Sequence, residues 1–325
     1  MTTPQHKIGS GFGARSTADD VLRGIDLSGR LALVTGGYSG IGLETTRALA
    51  RAGARVVVPA RRRETAEQAL GGIAGVELDE LDLSDLDSVR SFADRFLAAH
   101  PSVEIVINSA GIMACPETRV GPGWEAQFAT NHVGHFALVG RLWPAIARGH
   151  ARVVAVSSAG HRRSGIRWDD LQFKNGYDKW EAYGQSKTAN VLFAVQLDAL
   201  GRRAGVRAFA VHPGGIMTPL QRHLAKEEMV AAGWIDEDGK PKNLSFKSPE
   251  QGAATQVWAA TSTRLSGLGG VYCEDCDIAE PAATSGPTPA MAGVHRYAID
   301  PEQAARLWTL SAELVGVDPF ARDRR

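Results

Sequence analysis

From residue 30 onward the chain alternates short apolar, β-branched runs with stretches of helical period, and this alternation limits the fold more than any other feature. LALVT, GLETTRALARAG, RVVVPA, ETAEQALGG, VELDELD, DSVRSFADRFLAAH and VEIVINSAG follow one another as strand, helix, strand, helix. That order predicts a parallel sheet, because parallel strands need crossover connections and those connections lie on the sheet faces. ARVVAVSS, VRAFAVHPGG and GGVYCE continue the series, with helices expected over about 122–148, 180–201 and 249–262. The expectation is a Rossmann-type α/β fold, one doubly wound seven-stranded parallel sheet forming a single domain over residues 29–280. Residues 1–28 read as an N-terminal arm. Residues 281–325 read as a C-terminal helical extension, in which a Pro-rich stretch precedes PEQAARLWTLSAELVG and that helix packs back on the domain.

Composition removes several function classes. The chain carries 36 basic and 36 acidic residues, so no large field of either sign favours a nucleic acid partner. The first twenty residues hold no apolar h-region, and no run of about 18 apolar residues occurs, so neither export nor a membrane span is expected and a cytoplasmic location is the default. Cys115, Cys273 and Cys276 are too few for a disulfide framework. The CEDC pair lacks the second pair or the histidines of a structural zinc site, so packed thiols and no metal are expected there.

Chemistry concentrates at the expected carboxyl ends of the strands. LVTGGYSGIGLET puts Gly36, Gly40 and Gly42 between the first strand and the first helix. Glycines there let a pyrophosphate approach the backbone, and the helix N-terminus offers it free N–H groups; a purely structural turn is the alternative. At the end of the second strand an NAD-binding chain would carry an acid for the ribose hydroxyls, but Ala60 stands there, followed by Arg61, Arg62 and Arg63. A solvated basic helix start explains the arginines and not the missing acid, so NADP(H) is expected in preference to NAD(H). Asp82 and the NSAG of residues 108–111 end the third and fourth strands, Ser157 and Ser158 the fifth, and HPGGIMTP the sixth. In YGQSK, Tyr183 and Lys187 stand four apart, so a helix would present both on one face.

Taken in order, TGGYSGIG, NSAG, VSSAG, YGQSK and HPGG resemble the short-chain dehydrogenase/reductase family over nearly the whole chain. NHVGHFALVG, SKTANVLFAVQL and the stretch from LGGVYCEDC to LWTLSAELVG resemble its retinol-dehydrogenase and WW-domain-containing oxidoreductase group, here without a WW domain or membrane anchor. The resemblance implies a catalytic tetrad of Asn131, Ser158, Tyr183 and Lys187. In it Tyr183 is the general acid or base and Ser158 holds the substrate oxygen. Lys187 binds the nicotinamide ribose and lowers the tyrosine pKa, and Asn131 supports a proton-relaying water. It also implies cofactor contacts at Gly36, Tyr38, Ser39, Gly40, Ile41, Gly42, Arg61, Arg62, Asp82, Leu83, Asn108, Ala110, Gly111, Pro213, Gly214, Ile216 and Thr218, besides Tyr183 and Lys187.

His132 and His135 are read as packing and hydrogen-bonding residues, and neither His161 nor His212 has metal-site spacing. Residues 218–250 fall where the family carries a substrate lid, with Leu220, Met229 and Trp234 either walling an apolar pocket or pinning the lid. The implied activity is NADP(H)-dependent interconversion of a small-molecule carbonyl and alcohol by a monomer or homo-oligomer. A cofactor-binding regulatory protein with little turnover, and a reductase of an activated C=C bond, fit the same residues.

Overall fold

The computed structural model describes residues 3–283 and 292–321. Along the chain the elements are α1 (Ala18–Leu22), β1 (Leu31–Thr35), α2 (Gly40–Arg51), β2 (Arg55–Ala60), α3 (Arg63–Leu70), β3 (Val76–Glu80), α4 (Leu86–Ala99) and β4 (Ile105–Asn108). A small ribbon of β5 (Arg119–Val120) and β6 (Trp124–Glu125) leads into α5 (Ala126–Phe128), α6 (Gly134–Arg148), β7 (Arg152–Val156), α7 (Lys179–Gly201) and β8 (Arg207–His212). The chain ends through α8 (Lys226–Ala231), α9 (Pro249–Thr261), β9 (Val271–Glu274), β10 (Asp277–Ile278) and α10 (Pro301–Val315).

The sheet order is β3-β2-β1-β4-β7-β8-β9-β10, and the first seven strands of that order are parallel, as expected. The order reverses direction between β1 and β4, which opens a crevice at the carboxyl ends of those strands. The sequence reading did not foresee β10, which pairs antiparallel with β9. Asp275 (φ 49°) and Cys276 (φ 59°) turn the chain between them, the left-handed pair that a tight two-residue hairpin requires.

Alternation along the strands sorts the core. Leu33, Val106 and Val153 enter the layer beneath α4, α6, α7 and α10, whereas Val34, Ile107 and Val154 enter the layer beneath α1, α2 and α9. Both faces are apolar, which is why the central strands read as continuous hydrophobic runs. The edge strand β3 carries Glu77, Asp79 and Glu80 and is only half-buried; Arg55 and Arg95 pair with its acids and charge the exposed edge.

The helix expected over 122–148 is broken. Trp124 and Glu125 belong to the ribbon, and Ala129–Val133 form a π-turn between α5 and α6. Such single-turn widenings insert an extra residue without ending the helix and often mark functional sites. Here it carries Asn131.

The N-terminal arm lies along the last strands. Gln5 donates to the carbonyls of Tyr272 and Ala279 at 2.7 and 2.6 Å, and Asp277 accepts the N–H groups of Ile8 and Gly9 at 2.9 and 3.0 Å. The C-terminal helix packs back as expected: Trp308 stacks on Phe193 of α7 at 5.9 Å and meets Phe136 of α6 edge-on at 4.8 Å. Most of the Pro-rich stretch, residues 284–291, lies outside the described residues. All three thiols are buried, and burial pushes the Cys276 thiol up to about 11. Among the described residues, no group of three or more His, Cys, Asp or Glu gathers to hold a metal ion, and no helix is long and apolar enough to cross a membrane.

Candidate active site

One cavity of about 1240 Å³ runs along the carboxyl ends of the strands and beneath residues 218–247. Its wall brings together almost every residue singled out in the sequence. Gly36, Tyr38, Ser39, Gly40, Ile41, Gly42, Arg61, Arg62, Asp82, Leu83, Ala110, Gly111, Ser158, Tyr183, Lys187, Pro213, Gly214, Ile216 and Thr218 all line it. Asn108 and Asn131 do not; both are buried behind the wall. The Asn108 amide oxygen and nitrogen have no hydrogen-bond partner there.

At one end the turn between β1 and α2 forms a cradle. A Cβ on Gly36 (φ 66°) would stand 2.9 Å from Ala110 Cα, and one on Gly42 would stand 2.3 Å from the Gly36 carbonyl oxygen. Only glycine fits this packing of turn against strand end. Ser39 precedes α2 without a side-chain cap, so the first-turn N–H groups of Gly40, Ile41 and Gly42 remain available at the cavity wall. Uncapped donors at a positive helix end suit a phosphate, and a dinucleotide therefore fits the residues present. Beyond the turn, Arg63 pairs with Glu67 at 2.8 Å and leaves the site, while Arg61 and Arg62 stay on the wall. Asp82 stands 3.9 Å from Arg61.

The other end is built on α7, which is buried on nearly all sides from Ala182 to Ala194. Asp178 caps its first turn by accepting the N–H groups of Trp180 and Glu181. One turn into the helix, Tyr183 and Lys187 face the cavity together, with the ammonium 5.5 Å from the phenol ring centre. Lys187 Nζ donates to the Val156 carbonyl at 3.1 Å. Ser157 and Ser158 both reach the cavity wall, but the Ser157 hydroxyl is committed to the Lys187 carbonyl at 2.8 Å, whereas Ser158 hydrogen-bonds with Tyr183.

Protonation differs from the expectation. Burial raises the Tyr183 phenol to about 12, although a hydrogen bond with Ser158 acts in the opposite direction. Burial also lowers the Lys187 ammonium to about 8, so the cation expected to depress the tyrosine is itself short of solvation. At neutral pH this pair consists of a protonated phenol and an ammonium that is still mostly charged.

Several supporting residues were missed or ranked low in the sequence. The Thr35 hydroxyl accepts the Ser109 and Ala110 N–H groups at 3.0 and 3.1 Å and meets His135 Nε2 at 2.8 Å. His135 Nδ1 stands 3.0 Å from the Asn131 carbonyl, so a neutral ring with its proton on Nδ1 joins β1, β4 and the π-turn. His161 does the same elsewhere: Nδ1 donates to the Ser158 carbonyl at 2.7 Å and Nε2 accepts the His295 N–H at 3.2 Å. His212 Nδ1 accepts the N–H groups of Ala159 and Gly214 at 3.3 and 3.4 Å.

The substrate half is aromatic and apolar. Met113, Trp180, Leu220, Leu224, Trp234 and Phe246 stand on the wall, whereas Met229 packs behind them and pins the overlying segment. Trp180 stands three residues before Tyr183, and helical spacing alone could have placed it on the same face. The pair of buried Lys247 with exposed Asp275 at 2.6 Å, which ties the end of that segment to the β9–β10 turn, joins residues with no local sequence signal.

Comparison with known proteins agrees with this architecture. The family model for short chain dehydrogenase matches residues 30–229. The chain belongs to the short-chain dehydrogenase/reductase family. It is 45% identical over 302 residues to a "Probable oxidoreductase" of Streptomyces lividans, covering 89% of this chain and 98% of that one. Retinol dehydrogenase 12 of Mus musculus is 36% identical over 300 residues, covering 90% and 88%. A crystal structure of an uncharacterised protein from Mycobacterium paratuberculosis superposes with a TM-score of 0.71 at 34% identity, covering 94% of this chain and 98% of that one. The Pseudomonas aeruginosa RhlG/NADP active-site complex gives 0.59 at 25% identity, covering 77% and 95%. This short-chain dehydrogenase/reductase is accordingly an oxidoreductase, a family whose members use a nicotinamide cofactor.

Proposed function

We propose that the protein is an NADP(H)-dependent oxidoreductase that interconverts a carbonyl and an alcohol on a largely apolar small molecule. The observation that carries this reading is the placement of Tyr183, Lys187 and Ser158 on one wall, continuous with the glycine cradle and the arginines at the other end. The solved NADP complex of RhlG, a neighbour at 25% identity, supports the choice of cofactor class.

In the reductive direction, the carbonyl oxygen is held by the Ser158 hydroxyl and the Tyr183 phenol. A bound reduced nicotinamide supplies the hydride that the carbonyl carbon accepts. Tyr183 gives its proton to the oxygen as negative charge develops there, so the carbonyl gains a hydride and a proton and leaves as the alcohol. The phenol held near 12 is fully protonated at neutral pH and ready to act as the acid. Lys187 stabilises the phenolate left behind. Trp180, Trp234, Leu220 and Leu224 keep bulk water from the reacting atoms.

The test is NADPH oxidation against a panel of aldehydes, ketones, quinones and activated alkenes, by wild type and Tyr183→Phe, beside direct titration of NADPH. Turnover should fall at least about a hundredfold, the scale of a lost general acid, with NADPH affinity unchanged. A Tyr183→Phe protein that keeps most of its turnover removes the phenol from the mechanism. Tight NADPH binding by wild type without turnover of any compound favours a regulatory protein instead.

A further inference from the structure

The residues over the cavity mouth hold a cation that the strand-end motifs do not account for. Thr218, Pro219 and Gln221 form a fixed turn: Gln221 accepts the Thr218 N–H at 2.9 Å and donates to the Ile216 carbonyl at 2.8 Å. This turn sits directly on the glycine cradle, since a Cβ on Gly40 would come within 3.2 Å of Thr218 Cβ. From it Arg222 reaches the cavity wall, its Nη1 donating to the Pro219 carbonyl at 3.0 Å.

Arg222 there joins Arg61 and Arg62, which reach the same cavity from the end of β2, some 160 residues earlier in the chain. Among the described residues, neither Arg62 nor Arg222 has a carboxylate within ion-pair distance, and Arg61 has only Asp82 at 3.9 Å. Burial, and then the like charges of Arg61 and Arg62, act against the Arg222 cation. Three guanidinium groups around one opening, short of acids, repel one another until an anion lies among them. A phosphate with two charges and three acceptor oxygens matches that arrangement, since guanidinium forks bind such groups through paired hydrogen bonds.

We infer that Arg222 is a third ligand of the cofactor's 2′-phosphate, carried by the covering segment rather than by the Rossmann core, so that NADP(H) and not NAD(H) draws this segment down over the site. The inference rests on the NADP(H) reading above and adds to it a consequence. Cofactor choice and closure become one event: the phosphate that neutralises Arg61 and Arg62 also converts repulsion of Arg222 into attraction. With NADH bound, the repulsion remains and the segment is held less firmly.

The test uses the full chain and two readouts. Dissociation constants for NADPH, NADH and adenosine 2′,5′-bisphosphate are measured by calorimetry for wild type, Arg61→Ala and Arg222→Ala. Tryptic cleavage at the exposed Lys226 and Lys242 is timed with each cofactor at saturation. Arg222→Ala should weaken NADPH and the bisphosphate by about tenfold, the scale of a lost charge-assisted hydrogen bond. Its NADH affinity should stay within about twofold of wild type, which also shows that the variant is folded. In wild type NADPH should protect the segment better than NADH, and in Arg222→Ala the two should protect equally. Wild type that binds NADH as tightly as NADPH overturns the NADP(H) reading and this inference together. An NADPH preference lost in Arg61→Ala but untouched in Arg222→Ala, or equal losses for both cofactors in Arg222→Ala, overturns this inference alone.

Discussion

Asn131 brackets the Ile112 peptide: its Oδ1 accepts the Ile112 N–H at 2.9 Å and its Nδ2 donates to the Ile112 carbonyl, also at 2.9 Å. The same Nδ2 donates to Ser186 Oγ at 2.9 Å, so one amide ties the end of β4 to α7. Ile112 and Gly111 line the cavity, and the bracket therefore sets the wall that a cofactor meets. Asn131→Ala leaves the Ile112 N–H and carbonyl without these partners, while Ser186 Oγ keeps its bond to the Tyr183 carbonyl at 2.7 Å, and should lower stability by about 1–3 kcal/mol while weakening NADPH binding. Thermal unfolding beside NADPH titration checks this. An unfolding temperature equal to that of wild type would show that the bracket is dispensable and confine Asn131 to proton relay.

Four histidines set the acid limit. Burial first, and nearby charges second, hold His132 at about 3, His135 and His161 at about 4, and His212 at about 3, against an ordinary value of 6.5. Each folded pKa lies below the unfolded one, so the unfolded chain binds more protons between the two values. The stability these rings contribute is present above pH 6.5 and is lost as pH falls toward 4. The slope is bounded by four protons, about 5 kcal/mol per pH unit at its steepest. Denaturant unfolding at several pH values should show the protein losing stability steeply between pH 6 and 5. His132→Gln, which gives up the 2.8 Å contact with Ser311, should flatten that slope by close to one proton. A stability that stayed level down to pH 5 would contradict neutral buried rings.

The parts of this molecule readable from its sequence are those where one local pattern has one physical meaning. VVVPA and IVIN are apolar on both faces because the strands are covered on both sides. Gly36 and Gly42 of the β1–α2 turn are demanded by contacts within about ten residues of chain and one strand end. Tyr183 and Lys187 share a helix face by spacing alone. What escaped was set by distant partners. Nothing near Asn131 announces that its amide serves Ile112 and Ser186 and so favours a widened turn over a regular helix. Nothing near Arg222 shows Arg61. The raised phenol likewise follows from how completely α7 is enclosed, a property of the packed molecule and not of YGQSK.

Cofactor choice is testable at the end of β2. Ala60 is 2% exposed, its carbonyl accepts the Leu81 N–H at 3.2 Å, and Arg61 follows it onto the cavity wall. Ala60→Asp would place a carboxylate beside the arginines, where it pairs with them and repels a 2′-phosphate. NADPH binding should weaken by about tenfold or more while NADH binding holds or improves. Titration of both cofactors decides it, and an equal change for the two would show that this strand end does not select between them.

Lys187 should stabilise the active site's chemistry at the expense of the fold. The residue is 5% exposed and its ammonium donates to the Val156 carbonyl, which also receives Asn190 Nδ2 at 3.1 Å. Burial holds it at about 8 against an ordinary 10.5. The folded pKa is below the unfolded one, so the penalty for enclosing the charge is fully present below pH 8 and is relieved as pH rises toward 10.5. Lys187→Met keeps the length and apolar stem, removes the charge, and leaves the Val156 carbonyl bonded to Asn190. The cofactor-free variant should therefore be more stable than wild type at pH 7 by about 1–3 kcal/mol, and the advantage should shrink by pH 10. Turnover and NADPH affinity should both fall, the reverse sign on function that is common where a site keeps a buried charge. Denaturant unfolding of the two proteins at pH 7 and pH 10 measures the difference. A Lys187→Met protein less stable at pH 7, or a gap independent of pH, would mean that the ammonium is well solvated in the fold and that its pKa is not depressed.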